Sequence, residues 1–162
     1  MTREGLRAAQ FKQLDASHAA EAVAVAQRAI RRTEGSAYTS TQVEAWLRGM
    51  TEERFRQRLS GSWAIGAFER ENHLNGFATF VEDTATLDYL FVDPDAWRQG
   101  LGSLLVSAIE DHAQAVGACQ VRVDASLLAR PLFESLGYEL VSEYQKEVRG
   151  VLFENAWLVK TR

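Results

Sequence analysis

Hydrophobic positions in the first third of the chain recur at helical spacing. Apolar residues lie three or four apart over residues 16–33, which predicts an amphipathic helix. Two further helices are predicted over residues 41–49 and 51–61, the second opening at Thr51, a residue type that caps helix N-termini. A short strand is expected before all three helices, from Gly5 to Leu14.

From Ser62 onward the pattern changes to strands. Two strand-like segments around a polar turn predict a hairpin over residues 62–82, and a third strand follows at 84–92. A helix, a strand, a helix and a last hairpin are then predicted, over residues 100–116, 119–125, 128–136 and 138–160. The order β-α-α-α-β-β-β-α-β-α-β-β predicts an α/β (α+β) fold with a mixed central sheet flanked by helices, and the length suits one domain over residues 1–162.

Composition narrows the possible partners. The net charge of −4 and the lack of a long basic block argue against nucleic-acid binding. No apolar run approaches the roughly 18–20 residues that span a bilayer, so no membrane partner is expected. Early charges exclude a secretory leader, and the single cysteine, Cys119, suits a reducing compartment; both predict a cytoplasmic protein.

Two glycines, Gly100 and Gly102, lie where the strand over residues 84–92 gives way to the helix over 100–116. The first amides of a helix have no intrahelical acceptor, and with the helix dipole they attract anions. Glycine allows the backbone to approach a phosphate closely, and Arg98 adds a positive charge. The joint therefore has the parts of a phosphate cradle.

Two familiar phosphate loops do not fit this joint. A Walker loop needs Lys and then Ser or Thr after its last glycine, but Ser103 and Leu104 follow Gly102. A dinucleotide fingerprint needs a third glycine where Leu105 stands. From these residues alone, a simple tight turn and a phosphate cradle are equally good interpretations.

Two longer blocks resemble a known family. The segment from Leu90-Phe91-Val92-Asp93-Pro94 through Gly100-Leu101-Gly102-Ser103 resembles motif A of the GNAT superfamily, the acetyl-CoA-dependent N-acetyltransferases. The run from Val123 to Tyr138 resembles motif B of the same superfamily. The chain is most similar to small bacterial single-domain members, which implies a partly splayed central sheet.

The resemblance implies acetyl-CoA as co-substrate and direct transfer of its acetyl group to an amine of a small molecule or protein, without a covalent enzyme intermediate. The backbone amide of Phe91 would polarise the thioester carbonyl. Residues implied in cofactor binding are Leu90, Phe91, Val92, Arg98, Gln99, Gly100, Leu101, Gly102, Ser103, Ser126 and Phe133. The alternatives are a non-catalytic acyl-CoA-binding or sensory module, and an interaction domain that binds no nucleotide.

The chain departs from the family pattern at three positions. Trp97 stands where motif A usually has Arg or Gln. Phe133 replaces the tyrosine that in many members protonates the thiolate, so it is expected to pack near the pantetheine instead, and water could supply the proton. Ser126 occupies the usual Asn position, where it would either bond the cofactor or cap the helix over residues 128–136.

An acetyl acceptor must lose a proton, and two acids are candidates for the base. Strand alternation places Asp88 with Leu90 and Val92 on one face, two residues before the cofactor-binding end. A salt-bridged surface residue is the alternative for Asp88. Asp124 would contact the acceptor, or serve as an acid at a helix entry.

Other positions suggest less specific roles. Tyr38 lies in the region that lines the acceptor side in GNAT proteins. It would either shape the acceptor pocket or have only a structural role in packing and helix capping. His18, His73 and His112 show no ligand-like spacing, so no metal site is expected. The last hairpin could mediate dimerisation, which leaves monomer and homodimer both open.

Overall fold

The computed structural model describes residues 9–69 and 72–161 of the chain. Residues 5–8 of the predicted first strand and residues 70 and 71 of the first predicted hairpin turn lie outside the described residues. Within the described part, the predicted order of strands and helices is confirmed.

The described residues form seven strands, five helices and three short 3-10 turns. The strands are β1 (Gln10–Gln13), β2 (Trp63–Phe68), β3 (Leu74–Val81), β4 (Thr86–Val92), β5 (Gln120–Ser126), β6 (Glu139–Val148) and β7 (Val151–Thr161). The helices are α1 (Ala19–Arg32), α2 (Ser40–Leu47), α3 (Glu52–Gly61), α4 (Leu101–Ala115) and α5 (Arg130–Ser135). The 3-10 turns cover Ala16–His18, Glu82–Thr84 and Pro94–Ala96.

Local side-chain bonds set where the short helices begin. Thr39 Oγ1 accepts the amide of Gln42, while Gln42 Oε1 accepts the amide of Thr39, which is a capping box. This box starts α2 one residue earlier than the predicted Thr41. The helix α5 is shorter than predicted and begins at Arg130, with Pro131 in its first turn, where a missing amide proton costs nothing.

The seven strands form one mixed sheet in the order β1-β2-β3-β4-β5-β7-β6. Only the central pair, β4 and β5, is parallel; every other neighbouring pair is antiparallel. The mixed sheet inferred from the element order is thus observed. The parallel contact falls where helix α4 crosses over between the two strands.

The parallel strands separate almost as soon as they meet. They pair only at Thr86–Arg122 and Leu87–Val123. Beyond these positions β4 continues along β3 to Val92, and β5 continues along β7 to Ser126. We call the gap between residues 88–92 of β4 and 124–126 of β5 the fork.

A β-bulge in β4 lies at the base of the fork. Three residue steps on β4, from Leu87 to Leu90, face two steps on β3, from Phe80 to Ala78. The Thr79 hydroxyl on β3 accepts the amide of Tyr89 at 2.9 Å. Such an insertion bends the strand and increases its twist, which turns β4 away from β5.

The bulge changes which side chains of β4 share a face. Leu87, Leu90 and Val92 all pack with the residues of α4, whereas Tyr89 and Phe91 pack on the opposite side of the sheet, with α1, α2 and α3. Simple alternation, which puts Leu87 opposite Leu90 and Val92, is therefore wrong, and Asp88 contacts Arg58 of α3, on the side of Tyr89. An extra residue shifts the phase of a strand, and sequence alternation alone does not reveal it.

We expect Gly76→Ala to destabilise the fold at the strand that carries the fork. A Cβ on Gly76 would lie 3.1 Å from the Phe91 carbonyl oxygen, and this backbone atom cannot move without shifting β4. We expect the free energy of unfolding to fall by about 1–3 kcal/mol, the usual cost of overpacking. Urea denaturation of the two variants measures this difference. The control is Gly61→Ala, because a Cβ on Gly61 meets no atom within 4 Å. A Gly76→Ala protein as stable as the Gly61→Ala control would contradict the close approach.

Candidate active site

Hydrogen bonds between β3 and β4 decide which backbone groups face the fork. The Asp93 amide donates to the Asn75 carbonyl at 2.7 Å. Bonded pairs recur at every second residue of an antiparallel ladder, so Phe91 bonds to its partner Phe77 in the same way. The closeness of the Phe91 carbonyl to Gly76 agrees with this direction.

The backbone amides available at the fork are consequently those of Leu90 and Val92. The amide of Phe91, expected to contact the thioester, faces β3 instead. The register of the β3–β4 ladder determines this outcome. No feature of the sequence indicates which of two adjacent amides is free.

The glycine joint forms the N-terminus of α4 beside the fork. Arg98 and Gly100 both have positive φ angles, 60° and 87° respectively. Gly100 is the N-cap of α4. The Leu104 amide donates to the Gly100 carbonyl at 3.2 Å and forms the first hydrogen bond of the helix. The amides of Leu101, Gly102 and Ser103 belong to the first turn, where a helix supplies no acceptor. The predicted cradle residues are thus together at one helix end.

Trp97 attaches this loop to the end of β4. Its indole Nε1 donates to the Val92 carbonyl at 2.7 Å. The half-buried tryptophan therefore connects the loop before α4 to the end of β4. Arg98, next to Trp97, is exposed, and its side chain makes no hydrogen bond or ion pair with the described residues.

Asp88 lies at the base of the fork, against helix α3. Its side chain is 27% exposed, and its Oδ2 lies 2.8 Å from Arg58 Nη1 in an ion pair without the alignment of a hydrogen bond. The same guanidinium lies over the ring of Tyr89, 5.1 Å from its centroid. Burial raises the pKa of Asp88, while the positive charges of Arg58 and Lys146 partly oppose this shift.

Asp124 occupies the matching position on β5, one residue beyond the last β4–β5 pair. Its carboxylate accepts hydrogen bonds from Tyr144 Oη at 2.6 Å, Lys146 Nζ at 3.0 Å and Asn155 Nδ2 at 3.0 Å. Its negative charge contributes to the raised pKa of Asp88. The two candidate acids therefore stand side by side and influence each other electrostatically.

The partners of Asp124 were missed by sequence reasoning. Tyr144 and Lys146 alternate along β6, and Asn155 lies opposite Tyr144 on β7. Burial, followed by the bond to Asp124, raises the pKa of Tyr144, so its phenol keeps its proton at neutral pH. Polar residues at every second position of a strand were the available signal, but they did not indicate which acid they would contact.

Ser126 and Phe133 both lie within the motif B region. Ser126 Oγ accepts the amide of Ala129 at 3.3 Å, so this hydroxyl stabilises the turn before α5. The N-cap of α5 itself is Ala129, without a side-chain bond, so the capping alternative for Ser126 is wrong. Phe133 is 1% exposed, in the cluster between α4 and the sheet, with its ring centroid 5.2 Å from that of Tyr138. It has no hydroxyl to donate a proton.

Tyr38 lies on the other side of the sheet, near the predicted acceptor side. It is 4% exposed, and its ring packs against Trp46 and Phe153 at centroid distances of 5.5 and 5.7 Å. Trp46 in turn lies 6.2 Å from Phe91. An aromatic cluster thus connects β4 to the α1–α2 loop and to the last hairpin.

Two further observations concern ligands and membranes. Among residues 9–69 and 72–161 there is no group of three or more His, Cys, Asp or Glu side chains able to hold a metal ion. No helix within those residues is long and apolar enough to cross a membrane.

Comparison with known proteins identifies relatives of the chain. The family model described as "Acetyltransferase (GNAT) domain" matches residues 34–155. YafP of Escherichia coli (strain K12), described as an uncharacterized N-acetyltransferase, is 30% identical over 131 residues, 81% of each chain.

Solved structures share the fold. A GCN5-related N-acetyltransferase from Rhodopseudomonas palustris matches with a TM-score of 0.87 and 28% identity, covering 95% of this chain and 96% of that one. The PaiA N-acetyltransferase from Thermoplasma acidophilum, in complex with coenzyme A, matches with a TM-score of 0.78 and 15% identity over 95% and 99% of the two chains. From the matched family model, the YafP relative and the forked sheet together, we conclude that the chain belongs to the GNAT acetyltransferase family and is an N-acetyltransferase.

Proposed function

We propose that this protein transfers the acetyl group of acetyl-CoA directly to the amine of a small molecule or protein. The observation that carries the proposal is the fork, which opens beside the N-terminus of α4. Backbone groups of a strand edge and free helix amides lie there together. The co-substrate would supply an activated acetyl thioester at this place.

The chain's backbone fits the two polar parts of such a molecule. The amides of Leu101, Gly102 and Ser103, with the positive end of α4, would bind the pyrophosphate. The amides of Leu90 and Val92 would bind an extended amide chain as an added strand does, and one of them would polarise the thioester carbonyl. A solved structure of the same fold is a complex with coenzyme A, which supports this choice.

Asp88 is the residue we assign as the general base. An amine carries a proton at neutral pH and cannot attack until it loses it. Asp88 Oδ2 lies at the base of the fork and makes no aligned hydrogen bond within the described residues. Its raised pKa makes it a stronger base than an exposed aspartate. Asp124, held by three donors, would orient the acceptor instead of taking the proton.

Protonation of the departing thiolate does not require a tyrosine hydroxyl at the position of Phe133. A free thiol has a pKa of about 8.5, so the thiolate is a tolerable leaving group and water can protonate it. Tyr144 keeps its proton tightly and donates a hydrogen bond to Asp124, so this phenol is a poor substitute acid.

We expect Gly100→Val to weaken binding of coenzyme A more than tenfold. Valine is strained at φ of 87°, and its branched side chain would stand at the mouth of the cradle. The measurement is calorimetry with coenzyme A. The control is Gly117→Val, which imposes the same strain at φ of 81° just past the other end of α4, where a Cβ meets no atom within 4 Å. Equal affinity of the two variants for coenzyme A would exclude the cradle.

We expect Asp88→Asn to lower kcat by about a hundredfold or more, the usual contribution of a general base, while affinity for coenzyme A stays unchanged. Steady-state rates with a panel of amines, together with calorimetry, test both halves. If acetyl-CoA binds to the unsubstituted protein but no amine causes release of the free coenzyme A thiol, the acyl-CoA-binding module is the better description.

The pH profile gives a second test of the base. Because the base acts when deprotonated, kcat/KM falls as pH drops through the pKa of Asp88. Arg58 lowers that pKa, so Arg58→Gln should raise it and move the acid limb to higher pH. Arg54→Gln is the matched control, because Arg54 lies on the same helix and is exposed. An acid limb that Arg58→Gln leaves in place would remove Asp88 from the mechanism.

A further inference from the structure

Asp93, the residue that follows β4 at the open end of the fork, is buried although its side chain is a carboxylate. That side chain is 7% exposed. Asp93 also begins the loop that runs through the Pro94–Ala96 turn to the N-terminus of α4. A buried carboxylate needs hydrogen bonds and an opposite charge, because the loss of its hydration otherwise costs free energy. The position of Asp93 therefore depends on the partners that the fold gives it.

Every polar group of Asp93 has a partner. Its amide donates to the Asn75 carbonyl at 2.7 Å, and its carbonyl accepts a hydrogen bond from the Ala96 amide at 2.8 Å. In the side chain, Oδ1 accepts a hydrogen bond from the Asp95 amide at 3.0 Å. The other oxygen, Oδ2, accepts hydrogen bonds from Arg28 Nε at 2.9 Å and Arg28 Nη2 at 2.5 Å. Asp93 thus connects β3, the loop after β4 and helix α1.

Arg28 is the cation that compensates this buried charge. It lies on α1, 65 residues earlier in the chain, and its own side chain is 46% exposed. No other cation forms an ion pair with Asp93 within residues 9–69 and 72–161. The guanidinium is rigid and planar, so hydrogen bonds from two of its nitrogens fix the direction of the contact as well as its charge. Helix α1 therefore holds the end of β4 in a defined position.

The groups that would bind acetyl-CoA lie on both sides of Asp93. Val92, just before it, has its amide at the fork, and the Val92 carbonyl accepts a hydrogen bond from the Trp97 indole. After the loop comes the N-terminus of α4. The segment between these two places is held by the Arg28–Asp93 pair, by the Trp97 bond and by Ala96, which is 1% exposed. Loss of the ion pair would loosen the segment that joins the two parts of the proposed cofactor site.

We propose that Arg28 is a positioning residue for acetyl-CoA, which acts through Asp93 and does not contact the cofactor itself. By compensating and orienting the Asp93 carboxylate, it keeps the Val92 amide and the first turn of α4 at the spacing that the cofactor requires. This inference rests on the proposed function, because it takes the fork and the N-terminus of α4 as the place where acetyl-CoA binds. It gives a role in cofactor binding to α1, a helix outside both family motifs.

The first test is the kinetic effect of Arg28→Met, which keeps a good helix former at an exposed position of α1. We expect KM for acetyl-CoA to rise about tenfold, the usual effect of losing a hydrogen bond to a charged group. We expect kcat to stay nearly unchanged, because Asp88 is paired with Arg58 and not with Arg28 or Asp93. Calorimetry with coenzyme A measures the same weakening without turnover. A loss of folded protein would instead lower kcat at an unchanged KM.

Arg31→Met is the matched control. Arg31 lies on the same helix and is exposed, and its side chain makes no hydrogen bond or ion pair with the described residues. Both substitutions remove one positive charge, so a long-range attraction of the anionic cofactor would weaken equally in both variants. Equal KM values for acetyl-CoA in Arg28→Met and Arg31→Met would overturn the proposal.

Asp93→Asn separates positioning from a direct contact between Arg28 and the cofactor. This substitution removes a negative charge and releases Arg28, so direct binding by Arg28 predicts unchanged or tighter binding of coenzyme A. Positioning through Asp93 predicts binding about tenfold weaker. The double variant, Arg28→Met with Asp93→Asn, should then bind coenzyme A no more weakly than Arg28→Met alone. Multiplied effects of the two substitutions would show that the residues act independently, against the proposal.

A readout that needs no ligand is the exchange of the Trp97 indole proton with solvent, followed by nuclear magnetic resonance. The Trp97 Nε1–H donates to the Val92 carbonyl, and this bond protects the proton from exchange. Arg28→Met should accelerate the exchange, whereas Arg31→Met should not. Equal exchange rates in the two variants would show that the ion pair does not hold the loop.

Failure of this inference and failure of the proposed function are distinguishable. If the unsubstituted protein does not bind coenzyme A, the proposed function fails, and the cofactor role of Arg28 fails with it. If coenzyme A binds equally to the unsubstituted protein, Arg28→Met and Arg31→Met, only the inference about Arg28 fails. Arg28→Lys keeps the charge but lacks the planar set of donors, and it replaces Arg28→Met in the same comparisons if that variant does not fold.

Discussion

The early separation of β4 from β5 is the constraint on which the rest of the site depends. Two parallel strands that diverge leave backbone amides and carbonyls without partners, and such groups are costly when buried. The structure holds the strands apart by giving each a long antiparallel partner on its outer side, β3 for β4 and β7 for β5. The bulge at Asp88 and Tyr89 then bends β4 outward. The fork is thus imposed by the sheet and remains open for an extended ligand.

Charges near the base of the fork are arranged so that each carboxylate has a different partner. Asp88 is half-buried beside Arg58, whereas Asp124 is held by Tyr144, Lys146 and Asn155. The two acids therefore have different surroundings, although they stand at matching positions of neighbouring strands. Adjacent carboxylates with different surroundings are typical of sites that hold a substrate with one group and deprotonate it with another.

Sequence reasoning succeeded where a residue acts through local structure. The Thr51 cap of α3 and the start of α4 at the two glycines were both expected from the local sequence. It failed where a result depends on pairing between distant segments. The faces of β4 were misassigned because the bulge arises from the register with β3, and the same register turns the Phe91 amide toward β3.

The sequence by itself determined the order of elements, the mixed sheet and the family, because these follow from periodicity and from motifs that are contiguous in the chain. Only the tertiary structure decided which groups meet at the site. Arg58 reaches Asp88 from a helix thirty residues earlier in the chain, and Tyr144 reaches Asp124 from twenty residues later. Tyr38 packs on Phe153 because the last hairpin lies against the α1–α2 loop. Contacts of this kind depend on how strands are ordered and registered, which a linear pattern does not specify.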